Sequence, residues 1–232
     1  YLGSADQGLP GMTGVEFLVY STLGGTLLAT GVVLVLRWYR IESQNPVTIA
    51  GLTVPGEFLY IVPSGICTGV INPTTTLMYT LPISVMVAMV IMRGSVIVIG
   101  RAVDAIQIRQ GLLHKKVFWE ENVAVLFAVA AVATNVLGGG PRGFDFLRSV
   151  PAMTSHGSYI LAYALRIYIM NSYTNTRTGG RQNNKPFFAV EQMTSAVLLS
   201  LVALAVFHSG SLFGWSGEVI DQFRGSITDP LP

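Results

Sequence analysis

One arginine, Arg93, carries the chemistry that the rest of the sequence must accommodate. It lies in a largely apolar run, residues 83–109, which as a single helix would be about 40 Å long and able to cross a bilayer. A charge at that depth costs roughly 2.5–3.5 kcal/mol on insertion scales, so it usually faces a polar cavity or a partner. One hypothesis is that Arg93 faces a cavity and holds a phosphate or carboxylate in bidentate fashion. The other is a buried arginine that helix carbonyls or the region of Asn72 satisfy.

A second candidate group lies in the preceding apolar run, where residues 72–76 read Asn-Pro-Thr-Thr-Thr. Pro73 removes a backbone donor and is expected to kink a helix there, with residues 72–76 facing the third span. Transporters bind solutes beside such broken helices, which makes Asn72, Thr76 and Tyr79 candidate substrate-binding residues. The alternative, which we favour for the threonines, is that their hydroxyls bond back to their own helix.

Arg166 is the third candidate, because it interrupts another long uncharged run. It would face the same cavity as Arg93 and Asn72, or it would form a structural ion pair with Glu191, which is the interpretation we favour. Glu191 itself would be either a proton-coupling carboxylate or, as we favour, an interfacial charge near a helix start, stabilised by the helix dipole.

Other kinds of site find little support in the sequence. The chain has three scattered histidines and one cysteine, without metal-ligand spacing. Residues 138–143 are glycine-rich, but no strand precedes them and no Gly-Lys-Ser/Thr follows, so they predict a turn. There is no Ser/His/Asp constellation, and the net charge of +2 comes without a basic stripe. We therefore expect no enzyme activity, no cofactor or metal, and no nucleic acid partner.

The elements that must hold these side chains are predicted to be membrane-spanning helices. Half of the residues are apolar and only 11% are charged, against roughly 25% in ordinary soluble domains. The composition predicts an all-α, polytopic membrane helix bundle, forming one integral membrane domain over residues 1–232. Six spans are expected, at about residues 16–37, 57–81, 82–109, 121–140, 153–175 and 187–208.

The basic residues predict how these spans are oriented. Eight lysines and arginines fall in the loops on one side and three on the other, and the richer side is normally cytoplasmic. Six spans then place both chain ends outside. Because the chain begins with Tyr1 on that side, we expect either a cleaved signal peptide or an earlier helix, and we favour the helix.

The stretch from Ile66 to Asp104 contains Gly69, Asn72, Tyr79, Thr80, Ser84, Arg93, Gly94 and Ser95. On these positions it resembles the third and fourth helices of the drug/metabolite transporter superfamily, on its nucleotide-sugar-transporter-like branch. A weaker similarity to the sixth and seventh helices runs from Arg166 to Leu201. The resemblance implies part of a ten-helix fold with two inverted five-helix repeats. Charges at Arg101 and Asp104 depart from it; together with Arg109, we expect them to form the solvated cytoplasmic end of the third span.

Two functions of different classes follow. The first is a membrane transporter that moves a small polar or anionic solute by alternating access, with Arg93 as its electropositive centre. The alternative is a non-catalytic accessory or structural subunit of a larger membrane complex, because six spans are few for the family. The expected partners are the lipid bilayer and either a small-molecule solute or other membrane subunits.

Overall fold

The computed structural model describes residues 13–39, 46–49, 52–81, 84–114, 116–138, 149–176, 185–210 and 214–228. Seven helices account for most of these residues. A two-residue connection joins two short antiparallel strands, β1 (Pro46–Ile49) and β2 (Leu52–Pro55). The helices are α1 (Gly14–Val35), α2 (Phe58–Thr80), α3 (Val85–Arg109), α4 (Trp119–Gly138), α5 (Val150–Thr176), α6 (Lys185–Phe207) and α7 (Glu218–Thr228).

The predicted all-α bundle is confirmed, and each of the six predicted apolar segments coincides with one of helices α1 to α6 to within a few residues. The start of α1 shows how local sequence sets such a boundary. The Thr13 side chain accepts a hydrogen bond from the Glu16 backbone, and the Glu16 carboxylate accepts one from Thr13 N at 2.6 Å. This reciprocal capping box satisfies two amide groups that would otherwise lack partners.

Three of the described helices, rather than the expected six, combine the length and hydropathy needed to cross a membrane: α1, α3 and α6. The helices α2 and α5 are long enough, but their composition is more polar. α2 contains Pro63, Pro73 and a run of hydroxyl residues, and α5 contains Arg166. These polar residues lower the mean hydropathy of the two helices that lie most centrally.

The centre of the bundle is α2, which packs most extensively against α5 and α6. Two glycines one turn apart allow the close approach of α6. A Cβ added at Gly65 would lie 2.5 Å from the Thr194 Cβ, and one added at Gly69 would lie 2.8 Å from a Leu198 methyl. Both distances are too short for real carbon contacts, so α2 and α6 meet through small residues at i and i+4, as membrane helices often do.

A glycine also sets the position of α4. A Cβ at Gly94 would lie 2.5 Å from a methyl group of Val132, so α3 turns its bare backbone toward α4. Arg93 precedes this glycine and is rotated about 100° around the helix, away from α4. The Arg-Gly pair thus separates two faces of α3, one for helix packing and one for the polar side chain.

Two described elements were missed by the sequence analysis: the β1–β2 hairpin and helix α7. α7 is amphipathic and packs against α1 and α6. Its Arg224 donates from Nε to the carbonyl of Phe207 at 2.9 Å and from a terminal nitrogen to Ser209 Oγ at 3.2 Å. A cation at this position satisfies a carbonyl that the end of α6 leaves without a helical partner.

Candidate functional site

A polar cavity of about 440 Å³ lies among α1, α2, α3, α5 and α6. Its lining contains one cationic side chain, Arg93, and no acidic side chain. The other lining residues are mainly hydroxyl, amide and aromatic, and the complete lining is Ser21, Thr22, Gly25, Thr26, Ala29, Ile71, Asn72, Thr75, Thr76, Tyr79, Met92, Arg93, Tyr159, Tyr163 and Gln192. Four of the five candidate residues line it: Asn72, Thr76, Tyr79 and Arg93.

α2 presents Asn72, Thr76 and Tyr79 to the cavity because residues at i, i+4 and i+7 share a helix face. The hydroxyls of this segment bond back to their own helix, as favoured from the sequence. Thr75 donates to the Ile71 carbonyl at 2.7 Å, and Thr76 donates to the Asn72 carbonyl at 3.3 Å. With their protons committed, these two threonines face the cavity as hydrogen-bond acceptors. Despite Pro73, α2 continues as one helix from Phe58 to Thr80.

Arg93 is an exposed residue on the cavity wall. Its guanidinium has no hydrogen bond or ion pair with any residue in the described part of the chain. The alternative in which helix carbonyls or the Asn72 region satisfy the arginine therefore does not describe its position. The guanidinium carries five N–H donors, and none of them has an acceptor within the described part of the chain.

Tyrosines of α5 form the cavity wall that faces α2. The rings of Tyr159 and Tyr163 are 4.8 Å apart and tilted by 56°, a favourable aromatic arrangement, and Tyr159 is only 2% exposed. One turn earlier, buried His156 lies 3.2 Å from Ser95 of α3 through its Nε2. The tyrosine pair lies within α5, and the contact between His156 and Ser95 joins α5 to α3 near Arg93.

The sequence analysis did not identify the contribution of α1 or that of Gln192. Ser21, Thr22, Gly25 and Thr26 line the cavity from α1. A signal for them does exist, because they recur at three- and four-residue spacing in an otherwise apolar helix, which places them on one face. A Cβ added at Gly25 would meet no atom within 4 Å, so this part of the wall is open.

Arg166 does not line the cavity, contrary to one of the two hypotheses for it. It forms the ion pair with Glu191 that we favoured, with Nε 2.6 Å from Oε1 and a terminal nitrogen 3.0 Å from Oε2. Ser64 and Thr68 of α2 donate to the same Oε1 at 2.6 and 2.8 Å. The cluster is one turn from Tyr163 and adjacent in sequence to Gln192, so it lies directly behind the cavity wall.

The favoured position of Glu191 is wrong. The sequence suggested an interfacial charge near the start of α6, but the side chain is 2% exposed and in the core. Its spacing from Pro186 is that of a helix start, which is why dipole stabilisation was a reasonable expectation. The packing of α6 on α2 through Gly65 instead turns this face inward, where Arg166 balances the charge.

At its other end, α3 is joined to its neighbours by polar contacts. Arg101 lies near Glu121 of α4, with a terminal nitrogen 3.5 Å from Oε2. Asp104 accepts a hydrogen bond from Asn171 of α5 at 3.1 Å. Gln107 is fully buried and donates to the Tyr168 carbonyl at 2.8 Å. Arg101 and Asp104 are thus half-buried and join α3 to its neighbours, whereas they were expected at a solvated helix end.

Comparison of the chain with protein-family models, curated proteins and solved structures yields no match. Within the described residues there is also no group of three or more His, Cys, Asp or Glu side chains that would hold a metal ion. Among the described residues, the polar cavity and the guanidinium of Arg93 are the features that bear most directly on function.

Proposed function

We propose that the chain belongs to a polytopic membrane protein that transports a small polar or anionic solute by alternating access. Arg93 is the anion-binding group, and Asn72, Thr76 and Tyr79 are substrate-binding residues on α2. Arg166 is a structural residue in this scheme, because its hydrogen-bonding capacity toward Glu191 is already used.

The observation that carries the proposal is the unpaired guanidinium in a cavity whose lining has no acid. Arg93 is exposed on the cavity wall and no carboxylate lies in the cavity lining, in contrast to Arg166, which is paired with Glu191. A solute carrying a carboxylate or phosphate supplies the missing acceptor. Thr75 and Thr76 accept hydrogen bonds from its hydroxyl or amide donors.

The six-span topology is part of the same proposal. α1, α3 and α6 have the hydropathy of membrane helices. In this scheme α2 and α5 cross as well: several of their polar residues line the cavity or form the ion pair, and large side chains that they expose, such as Ile66 and Leu161, are apolar. α4 crosses beside α3. A membrane helix tolerates such residues when they face the bundle interior.

The accessory-subunit alternative rests on α4. Within the described residues it packs extensively only against α3, and its outer face exposes Leu126, Phe127 and Leu137. This surface suits lipid or a helix of another membrane subunit equally well. The two functions differ in whether the Arg93 cavity admits water and anions.

Charged thiol reagents test that difference. A cysteine at Thr76 in the full chain, reconstituted in neutral vesicles, is treated with an anionic and a cationic methanethiosulfonate of similar size. Arg93 should favour the anionic reagent, and Arg93→Gln should lower the anion-to-cation rate ratio by about five- to tenfold, the effect of one nearby charge in an aqueous site. Native Cys67 is buried, so the parent chain gives the background rate.

A cysteine at Thr80, on the same helix but outside the cavity lining, is the matched control and should show little dependence on Arg93. An unreactive Thr76→Cys, or a rate ratio that Arg93→Gln leaves unchanged, would overturn the transporter proposal, and the subunit alternative would then lead. Sidedness is tested in the same vesicles. Cysteine at Asn183 should react only from the cytoplasmic side, and cysteine at Gly217 only from outside.

A further inference from the structure

A second, apolar compartment lies directly behind the polar cavity. It is a crevice of about 180 Å³ between α1 and α6, and Pro73 of α2 and Phe223 of α7 also line it. Apart from two threonines of α1 and one serine of α6, its lining is hydrocarbon, and none of the lining residues is charged. Crevice and cavity overlap along the middle of α1, where the crevice is lined by residues 18–26 and the cavity by residues 21–29.

The two compartments have two lining residues of α1 in common. Thr22 and Thr26 line both of them, and their i, i+4 spacing stacks one above the other along α1. The Thr22 hydroxyl oxygen is buried and has no hydrogen-bond partner within the described part of the chain. Gly25, next to Thr26, leaves open space on the cavity side. The polar cavity and the apolar crevice are therefore neighbours at Thr22 and Thr26, and the Thr22 hydroxyl between them lacks a hydrogen-bond partner in the described structure.

Resting on the proposed function, we propose that the solute bound at Arg93 is an anionic amphiphile with a single alkyl or acyl chain. Its anionic head contacts Arg93 in the cavity, and its chain passes Thr22 and Thr26 into the α1–α6 crevice. The unpaired Thr22 hydroxyl would then bond to the polar atoms where head and chain join. The single cation, Arg93, matches one anionic group, and the single narrow crevice accommodates one apolar chain.

Three probes separate the head from the chain: inorganic phosphate, butyl phosphate and dodecyl phosphate. Binding to the full chain in phosphatidylcholine nanodiscs is measured by titration calorimetry, with empty nanodiscs subtracted. This correction is needed because a dodecyl chain partitions into any bilayer, and a difference between probes alone would not identify the crevice.

The decisive variants are matched on α6. Ala203 lines the crevice, whereas Ala205 lies two residues further along the same helix, is exposed and does not line it. Ala203→Trp should fill the groove and weaken dodecyl phosphate binding by about tenfold or more, leaving butyl phosphate binding unchanged. Ala205→Trp should change neither. Arg93→Ala should weaken all three probes.

Retained butyl phosphate binding shows that a tryptophan variant is folded; if Ala203→Trp does not fold, Ser200→Trp places the same bulk in the groove. If dodecyl phosphate binds Ala203→Trp as tightly as Ala205→Trp, the amphiphile proposal is wrong. Arg93-dependent binding of the short probes would in that case leave the anion site intact. If no probe depends on Arg93, the proposed function itself fails.

Discussion

The buried ion pair behind the cavity makes a prediction about stability that is independent of transport. Glu191 accepts two hydrogen bonds from Arg166 and one each from Ser64 and Thr68, and its side chain is 2% exposed. Glu191→Ala removes all four acceptor contacts together. Arg166 then remains charged, largely out of water and without its carboxylate.

The size of the loss follows from these contacts. Removing one partner of a buried ion pair costs about 3–5 kcal/mol. Four hydrogen bonds at the roughly 0.6 kcal/mol measured on average between membrane helices give about 2.4 kcal/mol, close to the lower end of that range. For a chain of this length each kcal/mol shifts Tm by about 2–4 °C, so Glu191→Ala should lower Tm by roughly 6–20 °C.

Thermal unfolding of the purified protein measures this, and two further variants test the reasoning. Arg166→Leu combined with Glu191→Leu removes both charges and should recover more than half of the loss, because an apolar pair often replaces a buried ion pair at little cost. Ser195→Ala, one turn beyond Glu191, deletes a buried hydroxyl without a partner in the described structure and should leave Tm unchanged or slightly higher. A Glu191→Ala protein within 2 °C of the parent, taken here as about 1 kcal/mol, would refute the argument.

Two further predictions concern helix packing. Gly94→Ala should lower the free energy of unfolding by about 1–3 kcal/mol, because its Cβ would lie 2.5 Å from a Val132 methyl. Gly100→Ala, whose Cβ would lie 3.9 Å from an Ile167 methyl, should have little effect on the same melting curve. Arg224→Ala removes the hydrogen bond to the Phe207 carbonyl and should therefore weaken the attachment of α7 to the end of α6. Amide hydrogen exchange should become at least tenfold faster in α7, which corresponds to roughly 1.4 kcal/mol, and should not change in α5. If amide exchange in α7 is unchanged, its apolar contacts alone hold the helix in place and the prediction is wrong.

The existence of six helices could be predicted from this sequence because long apolar runs recur along it. Each apolar run is bounded by charged or proline-rich segments, and six helices were found near the expected positions. Helix α7 was missed because it is short and polar on average, with its apolar residues confined to one face. Its pattern of Val219, Ile220, Phe223 and Ile227 does carry the helical period, but it follows a glycine-rich stretch.

The candidate site was predictable only in part. Arg93 and the α2 residues stand out because polar groups within long apolar runs require a polar environment. The Arg166–Glu191 pair was favoured from the sequence, but its burial was not, because hydropathy does not encode which helices are adjacent. α2 packs against α5 and α6, which buries Glu191 and adds Ser64 and Thr68 to the pair. Glycines at positions 65 and 69 were the available signal, since they mark the face where another helix approaches.

The position of the ion pair has a consequence for biogenesis. Arg166 lies on α5 and Glu191 on α6, the next helix in the chain, whereas their additional donors come from α2, which is synthesised much earlier. In the proposed six-span topology, Arg166 reaches the membrane before the chain that carries its carboxylate has been synthesised. Entry of α5 and α6 together as a hairpin shortens the time for which the charge is unbalanced, because the two helices bring the opposite charges in as one unit. The Ser64 and Thr68 hydroxyls of α2 are already present when Glu191 emerges, so the four-residue cluster can form as soon as α6 packs against α2.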